Sequence, residues 1–254
     1  MTEPLARRAL AEALGTGLLV TVVVGSGIMA ARLSPRDVGL QLLENSTATA
    51  LGLAVLILIL GPVSGAHFNP VVTLADCALG RRTDSGVDAR TVAVFIPAQI
   101  AGGIGGAVLA NLMFALPAAT ASTHTRTGGH LWLGEVIATA GLVLLVFALA
   151  RTGRGQYGPA AVGAYIAAAY WFTSSTSFAN PAVTIARAFT DTFAGIAPGS
   201  IGAFIAAQLL GAAVGTALVL ALFPHRATPA KPPAAAEHPA DLATTISTSA
   251  RSRV

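Results

Sequence analysis

A chain of 254 residues that is 54% hydrophobic and only 10% Asp, Glu, Lys and Arg cannot cover a water-facing surface with charge, since soluble domains carry about a quarter charged residues. The formal net charge of +4 invites a nucleic-acid reading, but the basic residues fall in short segments between apolar runs, where they orient membrane spans. One cysteine, Cys77, excludes an internal disulfide, and runs such as GLAVLILIL lack the alternation of a membrane β-barrel.

Apolar runs near the length a bilayer demands, about 20 residues, recur six times. The first is predicted over 8–30. The opening stretch MTEPLARRALAEALGTGLLVTVVVGSG is long enough to span and has no clean cleavage site, so this helix is expected to stay in the membrane. The second span is predicted over 46–61, the third over 91–116, the fourth over 131–150, the fifth over 159–175 and the sixth over 200–223. Two further stretches, 69–80 and 180–194, are too short to cross and too apolar for ordinary loops. The segment 224–254 is rich in Ala, Pro, Ser and Thr and is predicted to be a disordered tail. With the N-terminus inside, 11 of the 15 Lys and Arg lie on the inner side, against Arg32, Arg36, Arg126 and Arg187 outside. Both termini are therefore expected in the cytoplasm.

The halves repeat. NPVVTLAD (69–76) and NPAVTIAR (180–187) share Asn, Pro, Val, Thr and Ala in register. The segments AQIAGGIGGAVLANLMF and AQLLGAAVGTALVLALF follow them, and Glu12 and Glu135 match upstream. Three spans per half force the two halves into opposite orientations. The expected fold is an all-α membrane protein of six transmembrane helices plus two re-entrant half-helices in an inverted repeat. Residues 1–223 form its channel domain, with repeats near 7–116 and 131–223.

An Asn-Pro pair at membrane depth needs a reason. Asparagine caps helix N-termini and proline suits the first turn. Non-helical backbone before such a cap is tolerated in a bilayer only when buried in protein or lining a wet cavity. Two half-helices meeting at Asn69 and Asn180 would aim side-chain amides and positive dipole ends at one point. The carbonyls of SGAHF and STSFA would form a polar stripe leading there. Gly102/Gly106 and Gly211/Gly215 are spaced for close helix contact.

SGAHFNPVVTLA and SFANPAVTIA, with the paired Glu and the Gln-x-x-Gly helices, resemble the major intrinsic protein family of aquaporins and aquaglyceroporins, over roughly residues 7–223. The resemblance implies a passive channel in which Asn69-Pro70-Val71 and Asn180-Pro181-Ala182 form the pore motifs. It implies that Glu12 and Glu135 brace the loops, and that His67 either lines the inner vestibule or braces its loop. In the family the second motif is usually followed by Arg; here the residue is Val183. Counting back without gaps gives a selectivity filter of Thr49, Ala168, Ser177 and Val183, with Tyr170 or Ala169 in place of Ala168 if the fifth helix slips. As aligned, that ring is small, wide and weakly cationic. Arg187, four residues after Val183, is read either as an outer-mouth donor or as a partner of Asp191 facing water.

The Arg-to-Val exchange resembles a bacterial aquaglyceroporin subgroup linked to arsenical transport. The expected solutes are small and neutral: water, glycerol-like polyols and trivalent metalloid hydroxides such as arsenite. The resemblance also implies a homotetramer in the lipid bilayer. No cofactor, nucleic acid or resident metal is expected; His124 and His130 lack a third ligand. No nucleophile–base set suggests an enzyme. The alternative is an ion-coupled secondary transporter, since broken helices and inverted repeats also describe carriers.

Overall fold

The computed structural model describes residues 3–81 and 86–224, so the predicted tail lies outside the described residues apart from Pro224. The described residues form α1 (Leu5–Leu33), α2 (Val38–Ser64), α3 (Pro70–Gly80), α4 (Ala89–Met113), α5 (Gly129–Arg151), α6 (Gly158–Phe172), α7 (Pro181–Ala186) and α8 (Pro198–Leu222). Helices α1, α2, α4, α5 and α8 are long and apolar enough to cross a membrane. Helix α2 starts earlier than the hydropathy suggests, because Asp37 caps it by accepting from the Leu40 amide at 2.9 Å.

The fifth span is shorter than its apolar run. Helix α6 has 15 residues, about 22 Å at the helical rise, against a hydrocarbon core of about 30 Å. A 3₁₀ turn at Gly155–Tyr157 leads directly into it and lengthens the helical stretch. At the other end Thr173 is extended, closing the helix with its amide on the Ala169 carbonyl, so the expected end near residue 175 gives way to Phe172.

The second half-helix also departs from expectation. Its α-helical part ends at Ala186 and a 3₁₀ turn covers Arg187–Phe189, whereas the apolar pattern runs on to residue 194. The carbonyls that would continue the helix are already taken. Those of Arg187, Ala188 and Phe189 accept from the amides of Ile196, Ser122 and Thr120 at 3.3, 3.0 and 3.1 Å. The loop before α5 thus straps the segment after α7 and stops its helix.

Each half packs in the same way, α1 against α2 and α4, and α5 against α6 and α8, while α2 meets α6 across the halves. The glycine pairs set the closest approaches. A Cβ on Gly102 would sit 2.0 Å from the Ala13 carbonyl oxygen, and one on Gly106 would sit 2.0 Å from that of Gly17. In the other half, Gly211 and Gly215 meet the carbonyl oxygens of Val136 and Ala140 at 2.5 and 2.6 Å. Lipid tails supply no hydrophobic drive between helices, so this backbone contact is what holds each pair. The Thr21 hydroxyl fastens α1 to α4 further by donating to the Gly106 carbonyl at 3.1 Å.

Gly106→Val is therefore expected to force α1 from α4 at a cost of about 3 kcal/mol, lowering the thermal midpoint of detergent-solubilised protein. Gly105→Val, at a position where an added Cβ meets nothing within 4 Å, should leave the midpoint unchanged. Fluorescence-detected size-exclusion after heating reads both.

Candidate functional site

The chain between α2 and α3, and that between α6 and α7, is non-helical, buried and strained. Ala66 and Phe68 have φ of 50° and 49°, and Ser177 and Ala179, at matching positions of the repeat, have φ of 51° and 47°. Such angles cost of order 1–3 kcal/mol each outside glycine and persist only when the surroundings hold them. Here two buried carboxyls do so. Glu12 accepts from the amides of His67 and Phe68 at 3.0 and 2.7 Å, from the Ser64 hydroxyl at 2.6 Å and from the Gln99 amide at 2.8 Å. Glu135 accepts from the amides of Phe178 and Ala179, both at 2.9 Å, and from the Gln208 side chain at 2.6 Å. Gln99 and Gln208 also donate to the hydroxyls of Thr73 and Thr184, at 3.0 and 2.9 Å, which in turn donate to the carbonyls of Asn69 and Asn180. Each loop, its half-helix and two flanking helices form one hydrogen-bonded unit.

The two units meet tip to tip. Asn69 caps α3 by accepting from the Val71 amide at 3.1 Å, and its Nδ2 donates to the Ala179 carbonyl at 2.8 Å. Asn180 caps α7 by accepting from the amides of Ala182 and Val183, at 3.0 and 3.2 Å, and its Nδ2 donates to the Phe68 carbonyl at 2.8 Å. The exchange is reciprocal. A side-chain amide carries two N–H groups, and only one of each is used. Both asparagines line a cavity of about 620 Å³, as do Phe68 and Ala179. Pro70, Val71, Pro181 and Ala182 are buried in the half-helices behind them and do not line it.

That cavity runs along α2 from Thr49 to Gly61, about 18 Å at the helical rise. One end holds His67, Asp76 and Gln156; the other holds Thr49, Tyr170, Ser177, Val183 and Arg187. His67 contacts the Thr73 hydroxyl through Nδ1 at 3.1 Å, and its Nε2 lies 3.9 Å from the Asp76 carboxylate. It lines the cavity and ties its loop to α3 at once.

At the Arg187 end the cavity lining differs from the gap-free count at one position, Ala168. Ala168 is exposed and does not line the cavity. On α6 the cavity is lined by Val162, Ile166 and Tyr170, one turn apart; Ala169 is buried but does not line it, and Ala164 and Ala168 are exposed on the opposite face. Tyr170, the alternative to Ala168 if the fifth helix slips, lines the cavity, and its hydroxyl donates to Thr49 Oγ1 at 3.3 Å. The wall is therefore not built of short side chains alone. Ser177 is buried, and its hydroxyl has no partner among the described residues.

Arg187 does not pair with Asp191. The amide and hydroxyl of Thr123 bind the Asp191 carboxylate at 2.8 and 2.9 Å and hold it below the usual carboxylate range. Arg187 is instead 3% exposed, lines the cavity, donates from Nε to the Ala194 carbonyl, and lays its guanidinium 3.5 Å from the centroid of the Phe178 ring. Phe178 carried no polar signal in the sequence; only its register with His67 pointed to it.

The profile of the family described as Major intrinsic protein matches residues 1–177, ending just before the second Asn-Pro pair. The chain is 53% identical over 215 residues to aquaglyceroporin AqpS of Rhizobium meliloti (strain 1021), covering 85% of this chain and 89% of that protein. It is 33% identical to aquaporin-2 of Rattus norvegicus over 59% of this chain and 54% of the relative. It is 30% identical to the propanediol uptake facilitator PduF of Citrobacter freundii, over 61% and 63%. The crystal structure of the aquaglyceroporin from Plasmodium falciparum superposes with a TM-score of 0.67 over 85% of this chain and 96% of that one, at 19% identity, and so shares the fold.

Glu135→Gln would set an N–H donor against the donors of Phe178, Ala179 and Gln208. A buried donor left unpaired costs about 1–3 kcal/mol, so the thermal midpoint should fall by several degrees, roughly 2–8 °C. Glu3→Gln, at the exposed pair with Arg7, should leave it unmoved. Scanning fluorimetry in detergent measures both.

Proposed function

The chain belongs to the major intrinsic protein family, a family of membrane channels and not of enzymes, and on that premise we propose that it conducts small uncharged solutes passively: water, glycerol-like polyols and neutral trivalent metalloid hydroxides such as arsenite. The observation that carries this reading is the reciprocal Asn69–Asn180 exchange, which leaves one N–H of each amide unused beside the cavity. A neutral hydroxylated solute can accept from those N–H groups and donate to the loop carbonyls. Arsenite, as a neutral trihydroxide, offers three hydroxyls as glycerol does. The names of two relatives, an aquaglyceroporin and a propanediol facilitator, support polyols.

In this reading Asn69 and Asn180 hand solute across the middle, and Glu12 and Glu135 keep the carbonyl-bearing loops in place. Thr49, Tyr170, Ser177 and Val183 form the filter, with Arg187 at the outer mouth and His67 at the inner vestibule. Val183 stands where family members usually carry Arg, an exchange that resembles the subgroup linked to arsenical transport. The Asp76 end faces the cytoplasm, both termini lie there, residues 1–223 form the channel domain, and the chain works as a homotetramer.

Proteoliposomes test the proposal by light scattering. Glycerol flux should rise linearly with concentration and ignore proton and sodium gradients; saturation coupled to either gradient would favour a carrier. Val183→Arg should narrow the passage and cut glycerol or arsenite entry more than water flux, by about tenfold against twofold. Equal loss of all fluxes in a well-folded variant would remove Val183 from the filter.

A further inference from the structure

A hydroxyl carries one proton, and that of Thr73 is already committed. Thr73 Oγ1 donates to the Asn69 carbonyl at 3.1 Å and accepts from Gln99 Nε2 at 3.0 Å. Its remaining contact, with His67 Nδ1 at 3.1 Å, is therefore one in which it accepts. Neutral His67 then carries its proton on Nδ1, which leaves Nε2 with a bare lone pair. That nitrogen lies 3.9 Å from Asp76 Oδ2, and no proton joins them. Two electron-pair donors thus face one another at the inner end of the cavity, and both residues line it.

We propose that His67 Nε2 and the Asp76 carboxylate bind a divalent transition-metal ion of the zinc class, and that the bound ion obstructs the inner mouth. The binding stands on the geometry of the pair; the obstruction rests on the channel reading.

Imidazole nitrogen and carboxylate oxygen both ligate zinc, at about 2.0–2.2 Å, and a tetrahedral ion at those lengths sets its ligands about 3.4 Å apart. The pair has to close by about 0.5 Å to meet it. Both ligands are held from behind. The His67 ring is fixed by Thr73 and by Phe95, edge-on at 5.8 Å, and Asp76 Oδ2 accepts from the Val87 amide at 2.8 Å. Such outer partners orient metal ligands and raise affinity. Approach to Nε2 is kept open by Gly65, where even an added Cβ would come within 3.3 Å of it. Among the described residues Asp76 is the only Asp or Glu that lines the cavity, and no Lys or Arg lies within 4.0 Å of it. Gln156 lines the same end, and water fills the coordination positions that the protein leaves. With two protein ligands the site is a reversible one, unlike the four-ligand sites that hold structural zinc.

Two other groups serve as comparisons. His124 and Asp191 stand at the same 3.9 Å but do not line this cavity, and Asp191 Oδ1 already accepts from both the amide and the hydroxyl of Thr123. Cys77 adjoins Asp76 in sequence, yet it is buried off the cavity.

The experiment uses full-length protein in proteoliposomes with zinc on both faces, and each variant is compared with its own zinc-free glycerol flux. Wild-type flux should fall with zinc and recover with a chelator. Magnesium, which keeps its waters and demands octahedral oxygen ligands, should not slow it. Asp76→Asn should raise the zinc concentration for half-block by about tenfold or more. His124→Ala and Cys77→Ser should be blocked as wild type is. Calorimetric titration of zinc into detergent-solubilised protein reads binding separately, and Asp76→Asn should lose one site. Equal block and equal binding in wild type and Asp76→Asn overturn the proposal, as does a block that vanishes in Cys77→Ser or His124→Ala. Zinc that binds through Asp76 without slowing glycerol overturns the obstruction. Should Asp76→Asn fail to fold, His67→Gln, which keeps a donor for Thr73, is read by the same two outcomes. A wild-type protein that passes neither water nor glycerol overturns the channel reading, and the calorimetry still decides the site.

Discussion

Backbone amides in the middle of a bilayer have no water to turn to, and this chain places two non-helical loops there. Everything else follows from how those loops satisfy themselves. Two amides of each are taken by one buried carboxyl, and the carbonyl before each asparagine is taken by the amide side chain of the other. The positive φ angles turn successive carbonyls away from the helices behind them. A cavity lined by Phe68, Asn69, Ala179 and Asn180 results, and with it a passage that can offer both donors and acceptors. Removing a single asparagine or glutamate therefore disturbs geometry in both halves, because each tip is completed by the other.

Duplication explains the frame, and divergence explains the ends. Glu12 and Glu135, Gln99 and Gln208, Thr73 and Thr184 repeat their bonds with nearly the same lengths. The two half-helices do not. Helix α3 continues for 11 residues, while α7 stops after 6 under the strapping loop. The stop leaves Arg187 at the start of a 3₁₀ turn, and Asp76, its counterpart, inside a continuous helix, where it accepts from the Val87 amide at 2.8 Å. Local helix length is thus coupled to which charge the cavity sees at each end.

The frame was legible because its residues are chemically conspicuous. Asn69-Pro70 and Asn180-Pro181 are improbable in an apolar run unless they start helices, and a paired Glu in register announces buried donors. The wall of the cavity was less legible. Placing Ala168 in it assumed an uninterrupted count from Asn180, but the chain turns through Thr173–Thr176 before the loop begins, and the buried face of α6 is set by Val162, Ile166 and Tyr170. A helix that is apolar on every side gives no moment from which to read which face is inward. Arg187 was ambiguous for a different reason. Asp191 stood at a helical spacing, and only the end of the helix, imposed by residues 120–122 from far along the chain, removed it as a partner.

That strap is held chiefly by main-chain atoms. Thr120 and Ser122 offer their amides, and the carbonyls of Phe189 and Ala188 receive them, while the Asn111 side chain adds a bond to the Phe189 carbonyl and the Thr123 hydroxyl one to Asp191. Substitutions at Thr120 or Ser122 leave the main-chain part of the join in place. A single inserted or deleted residue between Leu116 and Ser122, by contrast, would shift the register and release α7 to grow, rearranging one mouth of the molecule from a site outside every helix.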